Sequence, residues 1–230
     1  DEGSKEHIKR LEKWSQRNRS WAQYSLGSLY NRGIGVPKDP KRAFELWKPA
    51  ADRGHHLAQC NIGMAYLDGR GVIQSDTLCV KYLKLSAEQG VAGAQCNLGS
   101  VYERGCGVEQ SDTKAFELYK LAADQGQREA QCKIGFMYEQ GRGVNQSDTL
   151  AFEFYQLSAA QGYARAQLRV GGYYYDGTVV KQSFAEAREW WTKAAKTGQE
   201  EAINNLKVLD EQEGIKTTSS SSNFTDNSTV

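Results

Sequence analysis

The apolar positions of this chain recur with a period of 36 residues. In the stretch Ala94 to Glu129, AQCNLGSVYERGCGVEQSDTKAFELYKLAADQGQRE, residues Ala94, Leu98 and Tyr102 stand at i, i+4 and i+8. That spacing predicts one apolar face of a helix, called helix A below. Gly105 and Gly107 follow and supply backbone angles that other residues resist. Val108 is placed to pin this loop to the core. A second apolar stripe, Ala115, Leu118, Tyr119, Ala122 and Ala123, predicts helix B, with Gly126 as its C′ stop. The columns are in register along the chain: Ala22, Ala58, Ala94, Ala130, Ala166 and Ala202, or Gly27, Gly63, Gly99, Gly135 and Gly171. Such a period predicts a solenoid, in which each unit contacts only its neighbours.

The polar positions punctuate the same pattern. Asp39, Ser75, Ser111, Ser147 and Ser183 share one repeat position and are all good N-caps for helix B. Pro40 suits the first helical position, and Asp76, Asp112 and Asp148 put negative charge on the positive helix end. Ser183 with Glu186 predicts a capping box. Glycine inside a helix costs about 1 kcal/mol relative to alanine, so the helix-A glycine represented by Gly99 is predicted to be a helix-helix contact.

Five full units result: 22–57, 58–93, 94–129, 130–165 and 166–201. Residues 1–21 fit the helix-B slot as a capping helix or half repeat, with Asn18 at the left-handed stop. In the fifth unit Thr178 and Val179 replace the second loop glycine and its neighbour. Residues 202–213 predict a C-terminal capping helix. Residues 214–230, rich in Ser and Thr, are expected to be disordered.

The pattern A-x-x-x-[LI]-G-x-x-Y-x-x-G-x-G-V, followed by K-A and A-A-x-x-G, resembles the Sel-one-like repeat (SLR), a relative of the tetratricopeptide repeat. The resemblance covers roughly residues 22 to 201. It implies an all-α, right-handed solenoid of antiparallel helical hairpins, with helix A lining the concave side. It also implies an adaptor or scaffold.

Helix A's outward face is then the expected reading surface, because its residues differ between units while the core positions do not. The candidate partner-binding residues are Asn61, Asp68, Asn97, Arg104, Lys133, Phe136, Gln140, Arg169 and Tyr173. Asparagines suit a peptide backbone, and Lys133 and Arg169 suit a carboxylate. Phe136, with Tyr173, is the expected apolar anchor.

Composition narrows the partners. The chain carries 29 basic and 28 acidic residues, a net charge of +1. That balance argues against a nucleic-acid binder relying on bulk charge. No run of 18 apolar residues predicts a membrane span. The chain opens DEGSKEHIKR without a methionine, as expected of a processed or excised fragment, so a removed compartment signal would leave no trace.

Candidate chemistry is sparse. Cys60, Cys96 and Cys132 share one helix-A position. Adjacent solenoid units pack about 9 to 10 Å apart, beyond the roughly 7 Å Cα limit of a disulfide. These thiols are expected to be free and buried, with a Cys60–Cys79 bridge as the alternative, and Cys106 sits in a loop. Cysteine-rich bacterial SLR proteins pair cysteines eight residues apart, a spacing not found here. An unpaired set favours a reducing, cytoplasmic compartment, with the secretory pathway as the alternative. His55 and His56 form a dipeptide in a turn, too few ligands for a metal, and no Ser-His-Asp or Cys-His arrangement assembles. The glycosylation sequons at Asn18, Asn145, Asn223 and Asn227 are read as incidental.

The expected function is a non-enzymatic scaffold that binds a peptide or partner protein, without cofactor or metal. Two alternatives stand beside it. One is a hydrolase of β-lactam-like substrates, which the resemblance to some bacterial SLR proteins implies. The other is a regulatory or targeting module of a larger protein.

Overall fold

The computed structural model describes residues 2–214. The helices run in chain order: α1 (Glu2–Gln16), α2 (Ser20–Arg32), α3 (Pro40–Asp52), α4 (His56–Asp68), α5 (Asp76–Glu88) and α6 (Ala92–Arg104), then α7 (Asp112–Asp124), α8 (Arg128–Gln140), α9 (Asp148–Ala160), α10 (Ala164–Asp176), α11 (Phe184–Ala195) and α12 (Glu200–Gln212). Among the described residues there is no strand. The fold is an α-solenoid. Even-numbered helices from α2 to α10 occupy the A slot and odd-numbered helices from α3 to α11 the B slot. Each A helix packs along its own B helix, and each B helix packs next on the following A helix. α1 lies against α2 in a B slot, and α12 closes the far end against α11.

The helix-A glycine is a contact point in every unit. A Cβ on Gly99 would stand 2.9 Å from two ring carbons of Tyr119. Gly135 meets Tyr155 in the same way, and Gly27 and Gly171 meet the indoles of Trp47 and Trp191. In the outer two units the indole does more than pack. Trp47 Nε1 donates to the Tyr24 carbonyl and Trp191 Nε1 to the Leu168 carbonyl, each at 3.1 Å.

The caps form as the sequence predicts. Asp39 accepts from Arg42 N at 2.9 Å, and Ser111 accepts from Lys114 N at 3.3 Å. Ser75, Ser147 and Ser183 do the same for their helices. The predicted capping box at Ser183 is only half present. Its backbone N–H donates to the Tyr174 carbonyl at 2.8 Å, so it is not left for Glu186. The same bond ties Asp39 to Tyr30, Ser75 to Tyr66, Ser111 to Tyr102 and Ser147 to Tyr138. Each B helix therefore starts from a residue fastened to the end of its own A helix.

The loops need left-handed residues. Gly105 and Gly107 have φ of 71° and 69°, and Asn18 is the one non-glycine residue with positive φ among those described, at 57°. The fifth loop departs from this: Val179 stands where the other units have their second glycine and does not take positive φ. The 214–230 segment lies outside the described residues apart from Gly214, and so do Asn223 and Asn227.

A polar ladder links unit to unit through buried glutamines at the second position of each repeat. Gln59, Gln95, Gln131 and Gln167 each donate Nε2 to an alanine carbonyl eight residues back, at 3.1, 3.3, 3.4 and 3.3 Å. The Oε1 atoms of Gln59, Gln95 and Gln131 accept from Gln89, Gln125 and Gln161 at 2.6, 2.7 and 2.8 Å. At Gln23 that donor is Arg53. In the fifth unit the donor position is Thr197, and Gln167 Oε1 is buried without a partner.

All five cysteines carry free thiols, Cys60 and Cys79 included. Burial pushes the Cys96 and Cys132 thiols up to about 12.

Candidate functional site

The outward face of the A helices carries three adjoining depressions. The first is lined by Asp68, Asn97, Arg104 and Lys133 from α4, α6 and α8. The second, of about 510 Å³, holds Lys133, Phe136, Gln140 and Arg169 from α8 and α10. The third, of about 260 Å³, lies between the last two full units and includes Arg169, Gly172 and Tyr173. Lys133 belongs to the first and second, Leu168, Arg169 and Glu201 to the second and third. Together they make one trough across the A helices. It takes in every predicted site residue except Asn61, which is half-buried on α4.

The predicted residues arrive in different states. Phe136 is 37% exposed, an open ring in the middle of the trough. Gln140 is exposed beside it. Asn97 donates to the Cys60 sulfur at 3.7 Å. Arg104 Nε donates to the Ser100 carbonyl at 3.2 Å, and Asp68 pairs with Arg70 at 2.8 Å.

Tyr173 does not stand beside Phe136 as an anchor. It is only 7% exposed and packs on Phe152 and Tyr155, with ring centroids at 5.3 and 6.2 Å. The reason is helical register. Residues 166, 170 and 173 are spaced i, i+4, i+7, which puts Tyr173 on the core stripe of α10.

Lys133 and Arg169 are engaged before any partner comes. Glu103 accepts from Lys133 Nζ at 2.9 Å, from Tyr119 Oη at 2.7 Å and from Arg142 Nη1 at 3.1 Å. Arg142 also clasps Asp112 with two nitrogens, Nη2 at 2.7 Å and Nε at 3.1 Å. One unit later Glu139 accepts from Tyr155 Oη at 2.9 Å and pairs with Arg169. The Lys133 ammonium and Arg169 guanidinium also lie over the rings of Tyr119 and Tyr155, at 5.8 and 6.0 Å.

The electrostatics follow from these contacts. Burial opposes ionisation of Glu103, but the hydrogen bonds from Lys133 and Tyr119 and the charges of Lys133 and Arg142 hold its carboxyl below the usual range. Burial, then the bond to Glu103, pushes the Tyr119 phenol up. Burial and the Glu139 charge do the same to Tyr155. The bond to Asp112 raises Arg142.

Sequence reasoning placed Tyr119 in the apolar stripe and passed over Glu103, Glu139 and Arg142. The available signal was the recurrence at 36 residues of Glu103/Glu139, Tyr119/Tyr155 and Lys133/Arg169, three chemically matched pairs.

His55 and His56 have structural duties. His55 Nδ1 accepts from Ala58 N at 3.3 Å, capping α4, and its ring stacks on Tyr24 and His56.

Comparison with known proteins gives a consistent result. The family model described as the Sel1 repeat matches residues 22–55, 56–91, 92–127, 128–163 and 164–198. Among solved structures, a Sel1 repeat protein from Oxalobacter formigenes is 32% identical with a TM-score of 0.82, and the match covers 88% of this chain and 83% of that one. A protective antigen of uropathogenic Escherichia coli, described as displaying an SLR fold, is 33% identical with a TM-score of 0.79. That match also covers 88% of this chain but 44% of the antigen, so this chain spans less than half the antigen's length. A putative Sel1 repeat protein from Klebsiella pneumoniae shares the fold at 15% identity and a TM-score of 0.58. Among curated proteins no sequence matches.

Proposed function

This chain belongs to the Sel1-repeat family, whose members are generally protein-interaction scaffolds, and from that premise we propose that it holds an extended peptide of a partner protein in the trough across its A helices. The carrying observation is Phe136. It is a large apolar side chain at 37% exposure in a depression of about 510 Å³, flanked by Lys133, Gln140 and Arg169. A rigid aromatic amid polar groups is the composition of an interface hot spot. The reading is non-enzymatic. The histidines His55 and His56 are occupied in a cap and a stack, and burial pushes the Cys96 and Cys132 thiols away from the reactive thiolate.

Lys133 and Arg169 contribute as the framed rim of the trough, because their charges are already shared with Glu103 and Glu139. The test is capture of partners from extract of the source cells, with Phe136→Ala/Gln140→Ala as the control. Neither side chain hydrogen-bonds within the Glu103 or Glu139 clusters, and Phe136 meets Arg142 only across its ring, so the variant should fold. A partner retained by the wild type and lost by the folded variant is the expected result. A partner held equally by both would overturn the trough as the binding surface.

A further inference from the structure

The interface between the third and fourth units contains its own arginine, and the equivalent interface between the fourth and fifth units lacks it. In the first, Arg142 reaches between Glu103 and Asp112, and its guanidinium lies 5.9 Å from the Phe136 ring centroid. Adding 36 to each number gives the second: Glu139 and Asp148 remain, but Thr178 stands in place of Arg142 and Gly172 in place of Phe136. Both large side chains have been cut away and both carboxylates kept. What remains is the depression of about 260 Å³ lined by Glu139, Asp148, Arg169, Gly172, Tyr173 and Thr178.

Two further observations say that this space suits a polar occupant. A Cβ on Gly172 would meet nothing within 4 Å, so the backbone leaves room. The Tyr173 hydroxyl is buried and has no hydrogen-bond partner, although the residue is only 7% exposed and lines the depression. Buried polar groups are hydrogen-bonded in the great majority of cases. This hydroxyl lies in the field of Glu139 and Asp148, whose charges add to burial in pushing the phenol up. Asp148 is exposed, whereas Arg142 half-covers its counterpart Asp112.

We propose that this depression is a specific pocket for an arginine side chain of the bound peptide, which takes the place that Arg142 holds one unit earlier. The guanidinium would donate to Glu139 and Asp148, and the Tyr173 oxygen would accept from it. Arginine is favoured over lysine because the internal occupant grips Asp112 with two nitrogens at once, a fork that an ammonium cannot reproduce. Arg169 stays on Glu139, as Lys133 stays on Glu103 beside Arg142. The inference deepens the peptide-scaffold reading and rests on it for the source of the arginine, but the pocket chemistry can be tested without a peptide.

The experiment is a titration of the 15N-labelled protein with methylguanidinium chloride, followed by NMR. Methylammonium chloride and N-methylurea are run at matched ionic strength. Saturable shifts at the Gly172, Tyr173 and Thr178 amides are expected with methylguanidinium, with affinity at least tenfold weaker for methylammonium and no saturation with methylurea. Thr178→Arg should supply the missing side chain internally and abolish those shifts. Asp148→Asn, at an exposed helix start, should weaken methylguanidinium at least fivefold and gives a second reading independent of how Thr178→Arg folds. Arg142→Ala should open a second site, seen as new saturable shifts near Phe136. Equal responses to methylguanidinium and methylurea, or shifts undiminished in Asp148→Asn, would overturn the pocket. Partner capture separates the two readings. A partner lost by Phe136→Ala/Gln140→Ala but kept by Thr178→Arg removes the arginine pocket and leaves the trough. Methylguanidinium binding with a partner indifferent to Phe136 removes the trough and leaves the pocket.

Discussion

Gly99 shows how a single missing side chain sets the distance between two helices. A methyl group there would sit 2.9 Å from the Tyr119 ring and 3.2 Å from the Ala115 carbonyl oxygen, and the ring is fully buried. Gly99→Leu should therefore lower stability by about 1–3 kcal/mol or more, read from urea midpoints, because neither neighbour can yield without moving the B helix. Phe136→Ala should change the midpoint by less than about 1 kcal/mol, since its ring is already open to water.

Glu103 gives a prediction in pH. Its folded carboxyl is held below the ordinary value of 4.5, so its contribution is present above that value and is lost as pH falls through the lower, folded one. Glu103→Gln should cost about 1–3 kcal/mol at pH 7, by leaving Lys133 and Arg142 short of a charged acceptor. The gap to wild type should close on acidification below about pH 4, as unfolding curves at several pH values would show. Gly99 was legible in the sequence because a helical glycine kept in every unit demands a packing reason. Glu103 was not, because its partners Lys133 and Arg142 lie 30 and 39 residues away and nothing local marks it.

The B helices are held twice at their start, by caps the sequence displays and by bonds it hides. Ser111 is recognisable as a cap from its residue type and place. That its own N–H would reach back to Tyr102 is a property of loop geometry, and it displaces the capping box expected at Ser183. Ser111→Ala should cost about 1 kcal/mol, because it removes the acceptor for Lys114 N but leaves the bond to Tyr102.

The loops make a sharper comparison. Gly143 has φ of 68°, and a Cβ there would stand 2.5 Å from the Asp112 carbonyl carbon and oxygen. Gly143→Val should be severely destabilising in a thermal melt. The reverse change at the equivalent position, Val179→Gly, should bring no gain, because that residue has already left the left-handed region. The sequence located this irregular loop but not the cavity that accompanies it, since the cavity depends on Gly172 and Thr178 facing two acids from the preceding unit.

At the scale of the molecule two numbers govern the chain. It repeats every 36 residues, but its successive helices are cross-linked between residues 30 apart. Gln89 meets Gln59, Ser158 meets the Arg128 carbonyl, and Arg142 meets Asp112, all at that separation. The first number is visible to the eye because it copies residue types. The second is not, because it joins different repeat positions, on different helices. With interactions confined to neighbours, the middle units should exchange their amide protons most slowly and the terminal helices α1 and α12 fastest, as native-state hydrogen exchange would measure.

The glutamine ladder constrains how such a protein can change over time. Duplicating one entire unit reproduces every donor opposite every acceptor, and the added segment inherits a complete interface on each side. Inserting or deleting one residue inside a helix turns Gln95 or Gln131 away from the alanine carbonyl of the preceding unit and from the glutamine amide of its own unit together. Lineages of this architecture should consequently grow and shrink in steps of one full hairpin, with small indels confined to the loop tips.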